Sequence, residues 1–188
     1  MRTSNALVTA ATIATVGLLL AGCASLTPTV NTNAATTSTA TTKASTTTAA
    51  KAAGLGSTIN VTDESGDKLA VTLVKVDAKA SSTDGFSTPP AGDSYYAVQV
   101  QIKDVGTAAW SDSPSNCLTV KDGKGQAFQA DLVEGISSGP LMTSSANIAA
   151  GDSTLGWVVF DVPSGDKVAE VQFTPLSGMA SSTAQWSL

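Results

Sequence analysis

The chain has 188 residues, a formal net charge of -5 and no histidine, and its only arginine is Arg2. Because histidine is the commonest general base and metal ligand, its absence argues against most hydrolases and against a zinc site. From residue 54 onward seven lysines face fifteen carboxylates, so this part lacks the basic patch that nucleic-acid binding requires, and no nucleic-acid partner is expected.

The first predicted element is an export signal that ends at a lipid-attachment motif. Arg2 precedes an apolar run from Leu7 to Leu20, which is too short and too abruptly ended to be a permanent membrane span. The run closes with Leu20-Ala21-Gly22-Cys23, which resembles the lipobox of bacterial lipoproteins. In that family the cysteine thiol receives a diacylglyceryl group, and the chain is cut so that the cysteine becomes the new N-terminus.

The lipobox resemblance implies a lipoprotein signal peptide over residues 1–22 and acyl chains, palmitate among them, on Cys23. Two acyl chains give stable anchoring, so the protein is expected on the cell membrane, at its extracytoplasmic face. The alternatives are an ordinary buried helix or a retained membrane anchor. Both are disfavoured because Gly22 and Cys23 end the run and a polar, unpatterned segment follows at once.

A tether is predicted next, over residues 23–53. After Cys23 this segment is almost entirely threonine, alanine and serine, and it contains no aromatic residue. It cannot bury enough apolar surface to offset the entropy of ordering, so a disordered linker is expected. As a flexible coil of roughly thirty residues it would span about 30 Å.

A single folded domain is predicted from residue 54 to residue 188. Apolar and polar residues alternate here with a period of two, which is typical of half-buried strands, and glycine and proline interrupt every candidate helix. A change of phase near Leu73 predicts a β-bulge. The strands are predicted at 57–62, 68–77, 94–104, 116–121, 126–131, 154–162 and 167–174, with a further one near 184–188. About seven to eight short strands imply an all-β fold, a β-sandwich.

Cys117 has no disulfide partner within the chain once Cys23 is acylated. We expect Cys117 to be a small buried side chain in a strand, held there by packing. A reactive thiol and an intermolecular disulfide are the alternatives, and no neighbouring motif supports either.

The acidic turn at Asp63, Glu64 and Asp67 is the best candidate for metal binding, because calcium prefers oxygen-rich loops. The regular spacing of an EF-hand loop is missing, so a solvated turn is favoured, and neither a metal nor a cofactor is expected. Ser65-Gly66-Asp67-Lys68 and Ser164-Gly165-Asp166-Lys167 are interpreted as turns that open strands, although Ser-x-x-Lys is also the nucleophile motif of penicillin-interacting enzymes.

Two long loops, 79–93 and 134–152, are predicted to form a recognition surface, because long unpatterned loops on a compact domain are often functional. The alternative is that their side chains cap the open ends of the sandwich. Trp157 is assigned to packing, since both faces of its strand are apolar. The apolar anchors proposed for a protein or glycan ligand are Phe86, Trp110, Leu141 and Met142.

Three stretches of the domain resemble a known family. They run from Tyr95 to Gly106, from Leu118 to Gly125, and from Ala150 to Pro163, where Gly156-Trp157-Val158-Val159-Phe160 follows a Gly-Asp turn. Together, over roughly residues 57–175, they look like a telokin-like, immunoglobulin-like domain of unknown function. That domain recurs in Gram-positive secreted proteins and lipoproteins, and it is similar in fold to a secreted mycobacterial immunoprotective antigen.

The resemblance implies an immunoglobulin-like sandwich of two sheets in an extracytoplasmic protein, and it carries over no catalytic or ligand residue. The sequence departs from the family at Asp104, where the family usually has asparagine.

The expected function is a non-catalytic binding module, monomeric and tethered to the membrane, that meets a protein or glycan of the cell envelope. A carbohydrate-active or enzyme-accessory domain that uses carboxylates is the first alternative. A structural or antigenic surface protein without a discrete ligand is the second. Carboxylates that converge in a cleft would favour the first alternative, whereas an exposed apolar patch framed by the two long loops would favour a binding module.

Overall fold

The alternating stretches of residues 54–188 fold into strands, which are joined by turns, two short helices and two long loops. The computed structural model describes residues 53–188, so the predicted signal peptide, Cys23 and nearly all of the predicted tether lie outside the described residues. The strands are β1 (Thr58–Thr62), β2 (Lys68–Asp77), β3 (Asp93–Asp104), β4 (Trp110–Asp112), β5 (Leu118–Asp122), β6 (Ala127–Asp131), β7 (Ala146–Ile148), β8 (Ser153–Pro163), β9 (Val168–Phe173) and β10 (Ala184–Ser187). Two single-turn helices, α1 (Pro114–Cys117) and α2 (Pro175–Gly178), complete the elements.

The all-β prediction is confirmed, and each of the eight predicted strands has a counterpart within a few residues. The strand predicted from residue 116 begins instead at Leu118, because Pro114 occupies the first turn of a short helix that ends at Cys117. Proline favours that position, where its missing N–H leaves no bond unmade. The three-residue strands β4 and β7 were not predicted, because three residues are too few to display an alternation.

Eight strands are hydrogen-bonded in one continuous order, β1-β2-β3-β8-β6-β5-β9-β10, and this sheet folds over into two layers. Strands β4 and β7 pair with each other separately. All of these strand pairs are antiparallel, and β6 joins the layers because it pairs with both β8 and β5. The predicted bulge is confirmed, since the β2–β3 register shifts between Leu73 and Lys75.

The first and last strands of this order are joined by the segment that enters the domain. Ala53 forms a parallel bridge with Trp186, and the Ser187 amide donates to the Ala53 carbonyl at 2.8 Å. The indole N–H of Trp186 donates to the Ser57 carbonyl at 2.9 Å. These bonds occupy backbone groups that an open sheet edge would otherwise offer to another chain.

The main core lies between the two layers and is formed by the strand residues whose side chains point inward. Trp110 fills one part of it beside Phe173, with ring centroids 6.5 Å apart and ring planes at 50°. Tilted aromatic pairs of this kind are favoured by the quadrupoles of the rings. The largest fully buried side chains are Trp110, Trp186, Phe160, Phe173, Leu69, Leu73, Ile102 and Leu118.

A second, smaller apolar cluster lies on the outer face of β3 and β8. Its buried members are Tyr95, Ala97, Ile136, Trp157 and Val159. Four of them belong to β3 and β8, where they alternate along each strand with residues of the main core. Ile136 comes from the long loop after β6. A face that would otherwise be wet is therefore covered by loops, which explains why β3 and β8 are apolar on both sides.

Candidate functional site

The two long loops meet across the outer face of the sheet, above the second apolar cluster. The Thr83 amide donates to the Gly135 carbonyl at 3.1 Å, and the Ser137 amide donates to the Ser81 carbonyl at 2.8 Å. An antiparallel bridge joins Ser82 to Ile136 between these two bonds. We call residues 78–92 and 132–142, with the strand ends beneath them, the loop face.

The second loop lies close against β8 because a glycine stands beneath it. The Met142 amide donates to the Trp157 carbonyl at 2.8 Å, and the Trp157 amide donates to the Pro140 carbonyl at 3.0 Å. A Cβ atom added at Gly156 would lie 2.4 Å from the Met142 Cα. Only glycine permits this approach, so the Gly156-Trp157 pair of the strand positions the loop above it.

Asp84 holds the first loop in a fixed conformation. Its Oδ1 accepts hydrogen bonds from the Ser82 hydroxyl and from the amides of Phe86 and Ser87, each at 2.7 Å. Its Oδ2 accepts from the Ser87 hydroxyl at 2.6 Å and from the Glu134 amide at 3.1 Å, which ties the two loops together. The bonds from Ser87, Phe86 and Ser82 hold the pKa of the Asp84 carboxyl well below its ordinary value, so it stays ionised.

The ordered loops leave two large apolar side chains in solvent. Phe86 is 92% exposed and Leu132 is 82% exposed, and each lies two residues from the Asp84–Glu134 hydrogen bond. A phenyl ring held in water on a fixed loop is a poor contribution to folding and a good one to binding. Phe86 was singled out from the sequence, whereas Leu132 was not. The one feature of the sequence that could have marked Leu132 is its position directly after the last residue of β6.

The other three proposed anchors have different positions. Trp110 is only 1% exposed and belongs to the main core, so the interpretation of Trp110 as a surface anchor is wrong. Met142 is buried at 7% and also packs in the main core, so its interpretation as an exposed anchor is wrong as well. Leu141 is half-buried and packs against the second cluster. Trp157 is buried in the second cluster, as its assignment to packing predicted.

Two depressions are open on the loop face. One has a volume of about 440 Å³, lies between the first loop and the start of β3, and is lined by Ser82, Ser87, Thr88, Asp93, Ser94 and Tyr95 among others. The other has a volume of about 380 Å³ and is lined by Asp131, Leu132, Glu134, Leu141, Met142 and Trp157 among others. Both combine apolar walls with hydroxyl or carboxylate groups, as binding sites commonly do.

Three carboxylates follow a diagonal across the sheet under the loops. Asp93 and Tyr95 share the outer face of β3, and Asp161 of β8 lies directly opposite Tyr95. Asp131 of β6 lies opposite Val159, one alternation away from Asp161. Diagonal neighbours of this kind have Cα atoms about 7–8 Å apart, so the charges act on one another.

The pKa values reflect this crowding. Burial raises the pKa of the Asp161 carboxyl, and the like charges of Asp131 and Asp93 raise it further. The pKa of the Tyr95 hydroxyl is also raised, by burial and then by Asp131, Asp161 and Asp84. Asp161 Oδ1 is buried without a hydrogen-bond partner. This face therefore bears unfavourable negative charge in the folded state.

Replacement of Asp161 by asparagine is expected to raise the denaturation midpoint at about pH 7 and to leave it unchanged at about pH 3. A raised folded-state pKa favours the protonated form, so folding gains stability below the unfolded-state pKa and loses it as the pH rises through the folded value. The asparagine variant escapes that loss. Thermal denaturation at both pH values measures the difference. The control is Asp152→Asn, at an exposed carboxylate in the turn before β8, and an equal gain for both variants would contradict the prediction.

The acidic turn between β1 and β2 is built differently from a solvated turn. Asp63 is only 7% exposed, and its Oδ1 accepts from the amides of Ser65 and Asp67 at 2.9 and 3.0 Å. The interpretation of a wholly solvated turn is therefore wrong for Asp63, which shapes the turn from inside. Across residues 53–188 no three His, Cys, Asp or Glu side chains come together in a way that could hold a metal ion.

Cys117 is buried, as expected, but the expectation that it lies in a strand is wrong, because it is the last residue of α1. Its thiol donates to Asp112 Oδ2 at 3.2 Å, and burial together with this carboxylate raises the pKa of the thiol. Such a thiol is unreactive at neutral pH. Asp112 also accepts from the Ser177 amide at 2.9 Å, which holds the left-handed backbone of Ser177 in place.

Comparisons with known proteins agree with this fold. Residues 57–184 match a family described as a domain of unknown function, DUF4352. MPT63, a secreted protein from Mycobacterium tuberculosis, superposes with a TM-score of 0.51 at 20% identity over 72% of this chain and 95% of its own. The yjhA protein from Bacillus subtilis superposes with a TM-score of 0.50 at 12% identity over 72% of this chain and 98% of its own. No curated protein matches the sequence.

Identities this low show a shared fold and nothing about a shared ligand.

Among the helices of residues 53–188, none has the length and apolar character to cross a membrane.

Proposed function

The chain belongs to the DUF4352 family, and we propose that it is a non-catalytic binding module, held by a lipid on Cys23 at the extracytoplasmic face of the cell membrane. The observation that supports binding most strongly is Phe86, 92% exposed on a loop that Asp84 fixes with hydrogen bonds. Fixing a loop costs conformational entropy, so a loop already ordered loses less when it binds.

The shape of the loop face also supports this function. Phe86 and Leu132 are apolar side chains beside two depressions, and interfaces concentrate their binding energy in a few such side chains. Phe86 and Leu132 differ from the other exposed apolar side chains in that they flank the hydrogen bond that ties the two loops together, which favours a binding role over a surface protein without a ligand.

The carbohydrate-active alternative has weaker support. Asp131 and Glu134 line one depression, so two carboxylates are present together. Leu132 between them is 82% exposed, and the depression is open to water. In a glycosidase the two carboxyl groups face each other across the scissile bond, whereas Asp131 and Glu134 are three positions apart on one chain segment, so the support for this alternative is limited to their presence in one depression.

Substitution of Phe86 by alanine is expected to reduce capture of the partner by about thirtyfold, the effect of losing a central anchor of about 2 kcal/mol. The measurement is crosslinking on intact cells, followed by pull-down of the chain and quantification of each captured species. Met179→Ala is the matched control, since Met179 is also an exposed apolar side chain, at 81%, and lies after α2, outside the loop face. Equal capture by the wild-type chain and both variants would contradict the proposed function.

A further inference from the structure

We infer that the loop face docks a positively charged segment of a partner protein, one that carries lysine or arginine beside an apolar side chain. This inference rests on the proposed binding function and adds the chemistry of the partner. It is carried by the negative charge, the free acceptor atoms and the exposed apolar groups that the loop face brings together.

One lysine, Lys79, stands against the carboxylates of the loop face, and within the described residues it forms no ion pair with them. Asp84, Asp93, Asp131, Glu134 and Asp161 all lie on the loop face or directly beneath it. The one ion pair found within residues 53–188 joins Lys124 to Asp166, in two turns that belong to neither loop. A charged depression with apolar walls concentrates its field, so a cation from outside would be drawn to this face.

The acceptor atoms of this face are free to receive donors. Within residues 53–188 no hydrogen bond engages the side chains of Asp93 or Asp131, and each of the two residues lines one of the open depressions. Asp84 is the contrast, because both of its oxygens are already used to order the loop. Carboxylates form their strongest hydrogen bonds with charged donors, and the guanidinium and ammonium groups of a protein supply such donors.

The exposed apolar side chains of the loop face indicate which groups of the partner should lie beside its positive charge. Phe86 presents an aromatic ring to solvent, and such a ring attracts both apolar side chains and cations. Lysine and arginine combine an apolar stem with a charged head, so they can cover Leu132 while they reach a carboxylate. An isolated metal ion would use the carboxylates and leave both apolar groups unexplained.

Other occupants fit the charge less well. A second copy of this chain would bring another acidic domain, since seven lysines face fifteen carboxylates from residue 54 onward. Nucleic acid and anionic lipid would meet the same repulsion. A basic protein segment is complementary in charge and matches the apolar groups as well.

The test is a fluorescence-anisotropy titration of the full chain, purified from membranes in detergent, with three labelled peptides. The first alternates lysine with phenylalanine, the second serine with phenylalanine, and the third glutamate with phenylalanine. We expect the lysine peptide to bind about tenfold more tightly than the serine peptide at low ionic strength, with the difference falling as salt is added. The glutamate peptide should bind weakest.

The double variant Asp93→Asn/Asp131→Asn should weaken the lysine peptide about tenfold and leave the serine peptide unchanged. Asp152→Asn, which removes one exposed carboxylate outside the loop face, should bind all three peptides as the wild-type chain does. Circular dichroism of each variant would establish that its fold is intact.

Three results would overturn the inference. Equal affinity for the lysine and serine peptides would mean that the face binds apolar groups alone, and the proposed function would stand if Phe86→Ala still lost its partner on cells. Tight calcium binding that disappears in the double variant would identify a metal site instead. If no peptide bound and Phe86→Ala captured its partner normally, both the inference and the proposed function would fail.

Discussion

Replacement of Trp110 by alanine is expected to destabilise the domain by about 3–5 kcal/mol, the cost of removing a large aromatic side chain from a packed core. Trp110 is 1% exposed, packs beside Phe173, and is among the largest side chains that the described part buries completely. Its amide donates to Asp104 Oδ2 at 3.0 Å, a main-chain bond that alanine keeps. The loss therefore measures packing of the indole alone.

Urea denaturation of the wild-type chain and the variant gives the free energy of unfolding. Phe86→Ala is the control, because removing a side chain that is 92% exposed should change that free energy little. Trp110→Phe retains an aromatic ring and provides a milder variant if the alanine variant does not fold. A Trp110→Ala chain with unchanged stability but impaired partner capture would restore Trp110 as a surface anchor.

The contrast between Trp110 and Phe86 shows what the sequence could predict. The period-two alternation identified the long strands and even the bulge near Leu73, because burial on one face of a sheet is a local pattern. Trp110 stands in a polar setting, and its burial depends on β4, whose partner β7 follows more than thirty residues later. No local pattern reports such a distant pairing.

The loop face illustrates the same limit. The sequence predicted that the two loops act together, and their hydrogen bonds confirm that they meet. It did not predict where, since the outer face of β3 and β8 is covered by Ile136, Val133 and Leu141, which come from a loop distant in the sequence. The apolar residues on both faces of β8 indicate that something packs on its outer side, but they do not indicate which segment does so.

The carboxylate diagonal was beyond sequence reasoning for a related reason. Asp93, Asp131 and Asp161 belong to three strands that are neighbours in the sheet and far apart in the chain. Any of the fifteen carboxylates could have met any other until the strand order was known. The topology selects these three, because β3, β8 and β6 are adjacent and the residues share one face.

The anchoring hypothesis predicts the largest change of all. Cys23→Ser is expected to move the chain from the membrane fraction almost completely to the soluble fraction or the medium, because serine offers no thiol for the diacylglyceryl group. Each buried methylene contributes about 0.8 kcal/mol to membrane binding, so loss of two acyl chains removes far more free energy than any side-chain contact could replace. Ultracentrifugation of lysed cells with quantitative immunoblotting measures the partition.

The second cysteine provides the matched control. Cys117→Ala removes a thiol that is buried in the domain and donates to Asp112, so membrane association should be unchanged. Metabolic labelling with palmitate should mark the wild-type chain and Cys117→Ala but not Cys23→Ser. Retention of Cys23→Ser in the membrane would contradict the lipid anchor. The Cys23→Ser variant retains Phe86, so a loss of partner capture on cells would have to come from its release from the membrane. In that case binding depends on confinement of the module near the membrane, because the tether raises its effective concentration for an envelope partner.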